Sequence, residues 1–203
     1  MVAVAPPAGR GREAGLRSWG VRDDERFRDR GWRLFDFAQE ILVVCPRCAG
    51  RAHVTVHPDH RECRRYPGTF LIEPHRLTCP GCGHTRDWSP RRARKGDADL
   101  YFAGGPPLAV PRLTGPDDPF FGLPLWLSRR CCGRTLWAYN AAHLDVLEGY
   151  VTARLRERHP YTGSGSLVER LPAWIKAAGN RTDVLAAIGD LRLRASEGHA
   201  RER

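Results

Sequence analysis

Lysine is nearly absent from this chain. Of its 33 basic residues, only Lys95 and Lys176 are not arginine. A GC-rich genome would also favour arginine, so this bias by itself excludes little. Other absences are more informative. No apolar run approaches the length of a membrane span. The opening "MVAVAPPAGRGREAG" has no apolar stretch of signal-peptide length. The expectation is a soluble, cytoplasmic protein with no membrane partner. No Ser/His/Asp spacing, glycine-rich phosphate loop or paired acidic motif occurs, so no catalytic constellation is expected and the chain reads as a non-enzyme. Apolar residues make up a modest 41%, against 21 glycines and 16 prolines. That balance implies more than one small core with long irregular connections.

What is present is cysteine, seven residues in all. In a reducing compartment they argue for metal ligands and buried thiols, not a disulfide framework. "CPRCAG" (45–50) and "CPGCGH" (79–84) are near copies, and no other internal repeat is seen. In a zinc knuckle the chain turns tightly, so that both sulfurs face one ion. Small residues after the second cysteine permit the positive φ such turns require. Cys45, Cys48, Cys79 and Cys82 together supply four thiolates, enough for one closed, tetrahedral, structural Zn²⁺. The need for metal follows from size. A ribbon of about fifty residues buries too little apolar surface alone, and zinc contributes on the order of 10 kcal/mol of coupled folding energy.

Two rival chemistries fit less well. A C-x-x-C redox pair expects to open a helix in a βαβ unit, and "GHTRDWSPRR" is no helix. "HRE" (60–62) upstream of Cys79 and Cys82 resembles the zinc-deaminase arrangement. However, Thr78 stands where that motif has proline, no helix is expected at either motif, and the first cysteine pair would have no role. His57, His60 and Cys63 could form a second metal site, against the simpler reading of a polar loop. Cys131 and Cys132, before Gly133, resemble half a knuckle, but adjacent cysteines do not readily share one tetrahedral ion. Buried thiols at a hairpin turn are expected there.

Along the chain, residues 1–35 read as a disordered tail of mixed charge. Strands are expected at 41–44, 52–56, 68–74 and 75–79, with a ribbon spanning 36–90. Residues 91–124, which include "GGPPLAVPRLTGPDDPFFGLPL", are a Pro/Gly-rich connection whose aromatics pack on something. Residues 125–195 form a β-hairpin with a turn at Cys132-Gly133, followed by helices. Asn140 caps the first helix, with Leu144, Leu147, Val151 and Leu155 on its apolar stripe until His159-Pro160. Ser166 and Glu169 form a capping box. Pro172 either kinks that helix or starts a new one. Asn180 opens the last helix, with Val184, Leu185, Ile188 and Leu191 on one face. Residues 196–203 read as a tail. The fold class is therefore α+β: an N-terminal antiparallel zinc ribbon, then a β-hairpin and a small C-terminal helical module.

Several stretches carry a family likeness: "CPRC", "LTCPGCGHTRDW", "DPFFGLPLWL" (118–127), "CCGRTLWAYNAAHLDVLEGYVTARLRER" (131–158) and "SLVERLPAWIKAAGNRTDVLAAI" (166–188). Over roughly residues 40–195 the chain resembles a group of uncharacterised bacterial proteins described as containing a transcription-factor-B-type zinc ribbon. The resemblance implies the ribbon and its zinc, and by analogy contact with nucleic acid or polymerase. A ribbon serves several purposes, so the fold does not decide the function.

The net charge is +10. Residues 45–96 carry 11 basic and 4 acidic groups, so +7 of it lies around the cysteines. One zinc with four thiolates lowers that to about +5. Arg47, Arg51, Arg61, Arg64, Arg65, Arg76 and Arg86, followed by Arg91, Arg92, Arg94 and Lys95, are the candidate phosphate contacts. Trp88 and Tyr66 are candidate stacking partners for unpaired bases, or else core packing. The expected partner is nucleic acid, DNA or RNA. The alternative is a protein-binding adaptor acting through the C-terminal module, with Trp174 at an interface. Against that, Trp126, Trp137 and Trp174 can equally be module core.

Overall fold

The computed structural model describes residues 26–59, 69–102, 104–157 and 165–200. It is a mixed α+β fold with small sheets and a C-terminal helix. The first described residues form a short strand, β1 (Arg26–Arg28), followed by a 3-10 turn at Leu34–Phe37. The strand lies inside the stretch 1–35 that sequence reading treats as a tail, and the turn begins there. The reason is tertiary: Phe27 sets its ring edge-on against Tyr150 at 5.5 Å.

Four strands make the main sheet: β2 (Glu40–Val44), β3 (Arg51–Val56), β4 (His75–Thr78) and β5 (Thr85–Trp88). They pair antiparallel in chain order. Ile41 lies opposite Val54, and Val54 opposite Leu77. All three are fully buried. "GTFLIEP" (68–74) was expected to be a strand. Instead Thr69–Ile72 is a 3-10 turn that buries Leu71. Its apolar run is real, but it packs over the sheet and does not join it.

The run "ILVV" has no polar face because β2 lies between two cores. Ile41 and Val43 enter the core of the main sheet, while Leu42 enters the helical core. A strand covered on both faces reads as continuously apolar. The outer edge of β2 is also covered. Leu42 N–H donates to the Tyr139 carbonyl at 2.8 Å, Val44 N–H donates to the Pro124 carbonyl at 2.9 Å, and Leu42's carbonyl accepts from Trp126 N–H at 2.9 Å. The two cores are thereby stitched along one strand.

Of the connection at 91–124, residues 91–102 and 104–124 are described. It contains a two-residue pairing of β6 (Leu100–Tyr101) with β7 (Leu108–Ala109). Further on, the buried Asp118 carboxylate accepts the N–H groups of Phe120, Phe121 and Leu123. This turn presents Phe120 to His75, ring on ring at 3.6 Å between centroids. The expectation that these aromatics pack is met.

The hairpin of β8 (Leu127–Cys131) and β9 (Arg134–Ala138) turns at residues 132–133. Helix α1 (Ala141–Thr152) begins where Asn140 accepts His143 N–H at 3.0 Å, so the expected cap forms. The Asn140 amide also donates to the carbonyls of Phe37 and Glu40, tying the helix to the start of β2. The helix ends earlier than expected. Leu155 is 57% exposed and belongs to β10 (Leu155–Glu157), which pairs parallel with β1. Arg181 donates to the Ala153 carbonyl at the helix end.

The Ser166–Glu169 capping box opens α2 (Leu167–Arg170). Pro172 resolves as a start: it is the N-cap of α3 (Ala173–Lys176). Helix α4 (Arg181–Ala200) buries Val184, Ile188 and Leu191 as expected, with Leu185 partly covered. It continues through residues 196–200, which sequence reading assigns to a tail. Arg192 bridges Asp145 and Glu148, clamping α4 to α1. Among the described residues, no helix is long and apolar enough to cross a membrane.

Candidate metal centre

Each cysteine pair sits on a tight turn between two strands. Cys45 follows β2 and Cys79 follows β4; β3 and β5 leave the two turns. The turns repeat the same bonds. Cys45 N–H donates to the Gly50 carbonyl and Cys79 N–H to the His84 carbonyl, at 2.8 and 2.9 Å. Ala49 N–H donates to the Cys45 carbonyl and Gly83 N–H to the Cys79 carbonyl, at 3.0 and 2.9 Å. The antiparallel sheet places both turns at one end, so four residues far apart in sequence meet.

The four sulfur atoms lie within 4.8 Å of one another. Cys45 Sγ is 3.7 Å from Cys82 Sγ, and Cys48 Sγ is 3.6 Å from Cys79 Sγ. None of these thiols is in a disulfide. A tetrahedral ion with metal–sulfur bonds of about 2.3 Å needs sulfurs about 3.8 Å apart. The donor set and its spacing therefore fit a four-thiolate metal site, and these cysteines can hold a metal ion.

Electrostatics point the same way. Burial opposes ionisation of Cys45, but the amides of Arg47 and Cys48 and the thiols of Cys79 and Cys48 outweigh it and lower its pKa to about 7. Arg47 N–H lies 3.4 Å from the Cys45 sulfur. Cys79 is the reverse: burial, with the neighbouring thiols of Cys48, Cys45 and Cys82, pushes it up to about 12. The His84 amide favours the Cys82 thiolate, yet burial and the Cys48 and Cys45 thiols raise its pKa overall. Four clustered thiolates repel one another, and a bound cation removes that repulsion, so metal uptake displaces protons.

The basic candidates divide into three sets. Arg51, Arg76 and Arg91 are engaged by the protein. Arg51 is only 6% exposed and donates to the Ala195 carbonyl on α4, so it is a strut between the cores and not a phosphate contact. Arg76 is bound to Asp87 through two hydrogen bonds and meets His57 Nε2. Arg91 makes a two-pronged pair with Asp97. By contrast, Arg47, Arg86, Arg92, Arg94 and Lys95 are exposed and form no ion pair among the described residues. Arg86 lies over the Phe121 ring at 5.6 Å. Arg61, Arg64 and Arg65 lie outside the described residues, as do His60, Cys63 and Tyr66.

Trp88 is half-buried and its ring meets Phe120 edge-on at 5.1 Å, so core packing accounts for it. Trp126, Trp137 and Trp174 also pack partly buried against the two cores. Of the adjacent cysteines, Cys131 is buried as expected, but Cys132 is exposed. Their sulfurs are 3.5 Å apart, with the Asp183 carboxylate 3.9 Å from Cys132 Sγ.

Sequence reading missed the strand Thr85–Trp88, whose four residues directly follow the second knuckle. It also missed the contact of Cys79 Sγ with the Arg51 carbonyl at 3.6 Å, which no local pattern signals. No family model, curated protein or solved structure matches the chain.

Proposed function

We propose that Cys45, Cys48, Cys79 and Cys82 hold one structural Zn²⁺ in a zinc ribbon of the transcription-factor-B type, and that the ribbon binds nucleic acid. The sulfur quartet carries the first part. Four soft thiolates at tetrahedral spacing, closed to further ligands, suit a structural zinc better than a catalytic one, which keeps a position open. When bound, zinc supplies cross-linking of the two turns. The resemblance between this chain and the uncharacterised ribbon proteins points the same way.

The second part is supported by the exposed set Arg47, Arg86, Arg92, Arg94 and Lys95, which makes no ion pair among the described residues. Arginine forks suit phosphate oxygens. With Arg51, Arg76 and Arg91 engaged elsewhere, the contact surface is smaller than composition suggests. The adaptor reading draws less support, since Trp174 is half-buried on the helical core.

The experiment is fluorescence anisotropy of the zinc-loaded chain against single- and double-stranded DNA and RNA across a salt series. Saturable binding that weakens with salt by a slope of several released counterions is expected. The triple variant Arg92→Glu, Arg94→Glu, Lys95→Glu should reduce both affinity and slope. No binding at low salt would sink the nucleic-acid reading and leave the zinc site standing.

A further inference from the structure

A second concave feature lies away from the sulfur cluster, between the hairpin, the short helices and the chain at 33–35. A cavity of about 480 Å³ opens there. Its floor includes the buried Leu136, Leu171 and Ile175. Its walls carry three partly buried aromatic rings: Phe35, Trp137 and Trp174. Size and lining are those of a small-molecule site, in which an apolar body is gripped and a few polar groups orient it.

The polar groups are few and distinct. His143 is part of the lining although it is only 2% exposed. Its Nδ1 accepts the Tyr139 N–H at 3.3 Å, which puts the proton of the neutral ring on Nε2. Burial lowers its pKa to about 3, so the ring stays neutral near pH 7. Among the described residues Nε2 has no hydrogen-bond partner. That N–H is therefore a donor left for a ligand acceptor.

Two guanidinium groups complete the lining. Arg33 and Arg170 are both exposed, and neither forms an ion pair among the described residues. Arg33 lies over the Phe35 ring at 5.9 Å. Arg170 rests against Gly165, where an added β-carbon would come within 2.9 Å of its Nη2. Gly165 has φ +66°, so both its backbone and its lack of a side chain make room for the guanidinium.

We propose that this cavity binds a small amphipathic carboxylate. The apolar or aromatic body lies on Leu136, Leu171 and Ile175 between the aromatic walls. The carboxylate pairs with Arg33 and Arg170, and the Nε2–H of His143 is left to donate to an acceptor on the body where a ligand carries one. An arginine fork matches a carboxylate in two-pronged fashion. This site is independent of the zinc reading.

The test uses the full metal-loaded chain with three probes of nearly one shape: 4-phenylbutyrate, 4-phenylbutan-1-ol and 4-phenylbutylamine. Calorimetry gives affinity, and quenching of Trp137 and Trp174 fluorescence reports location. The acid is expected to bind at least tenfold more tightly than the alcohol, with the amine weakest. The double variant Arg33→Ala, Arg170→Ala changes only exposed side chains and should abolish the acid's advantage while the alcohol still binds. Arg47→Ala, Arg86→Ala should leave all three affinities unchanged. The proposal is overturned if no probe binds saturably at millimolar concentration. It is equally overturned if the acid's advantage survives in the Arg33, Arg170 variant, or if quenching persists in Trp137→Phe, Trp174→Phe.

Discussion

Ala49 and Gly83 occupy the same place in the two cysteine turns, and both hold a left-handed backbone, with φ of 57° and 68°. Each donates its N–H to the carbonyl of the first cysteine in its turn. That geometry keeps both sulfurs of a pair on one side. Glycine adopts it without steric cost, whereas a β-carbon there is strained by roughly 1 kcal/mol or more.

Ala49→Gly should therefore stabilise the metal-loaded chain. Relief of strain exceeds the added entropy of the unfolded chain, for a net gain of about 0.5 kcal/mol. Gly83→Ala should destabilise by about 1 kcal/mol. Urea unfolding of both variants checks this. If both changes acted in the same direction, the two turns would not be equivalent.

Metal removal should act unevenly. Chelation, or Cys79→Ser, should abolish a stoichiometry of one metal ion per chain in native mass spectrometry. Structural zinc contributes on the order of 10 kcal/mol to small domains, so the sheet carrying Ile41, Val54 and Leu77 should lose its hydrogen-exchange protection. Protection on α4 around Ile188 should outlast it, because that core takes only Leu42 from the main sheet and is otherwise built from the hairpin and helices. Full metal content and protection in Cys79→Ser would exclude the site.

The second hairpin turn offers a similar test. Cys132 and Gly133 both have positive φ, 50° and 70°. That is the pattern of a two-residue type I′ turn, which favours Asn-Gly. Cys132→Asn should raise stability by about 0.5–1 kcal/mol. A loss in thermal or urea unfolding would mean that the Cys132 thiol contacts with Cys131 and Asp183 outweigh the strain.

Acid should destabilise the fold through His143, whose ring packs on Phe37, Trp137 and Tyr139. Burial depresses its pKa from 6.5 to about 3 in the folded chain. Between these values the unfolded chain binds a proton that the folded chain does not. The stability it contributes is complete above pH 6.5 and falls as pH drops toward 3. The slope approaches about 1.4 kcal/mol per pH unit. His143→Gln should flatten the stability profile between pH 6 and 4, and an unchanged profile would assign the acid sensitivity elsewhere.

Much of the local structure was legible in the residues. The C-x2-C spacing, the Asn140 cap, the Ser166–Glu169 box and the hairpin turn all depend on contacts within a few positions, and all formed. Misreadings arose where distant partners decide. "TFLI" has strand composition but pairs with no strand; it turns over the core and buries Leu71. The apolar stripe of α1 runs on to Leu155, yet pairing with β1 ends the helix at Thr152. By itself, then, the sequence determined the two cysteine turns and most capping, because those are short-range geometry. Only the tertiary structure decided that β2 would be shared by two cores and that Arg51 would be withdrawn to Ala195. It alone also gathered Arg33, His143 and Arg170 around one cavity. These groups lie far apart along the chain, and only the packing of sheet against helices brings them together.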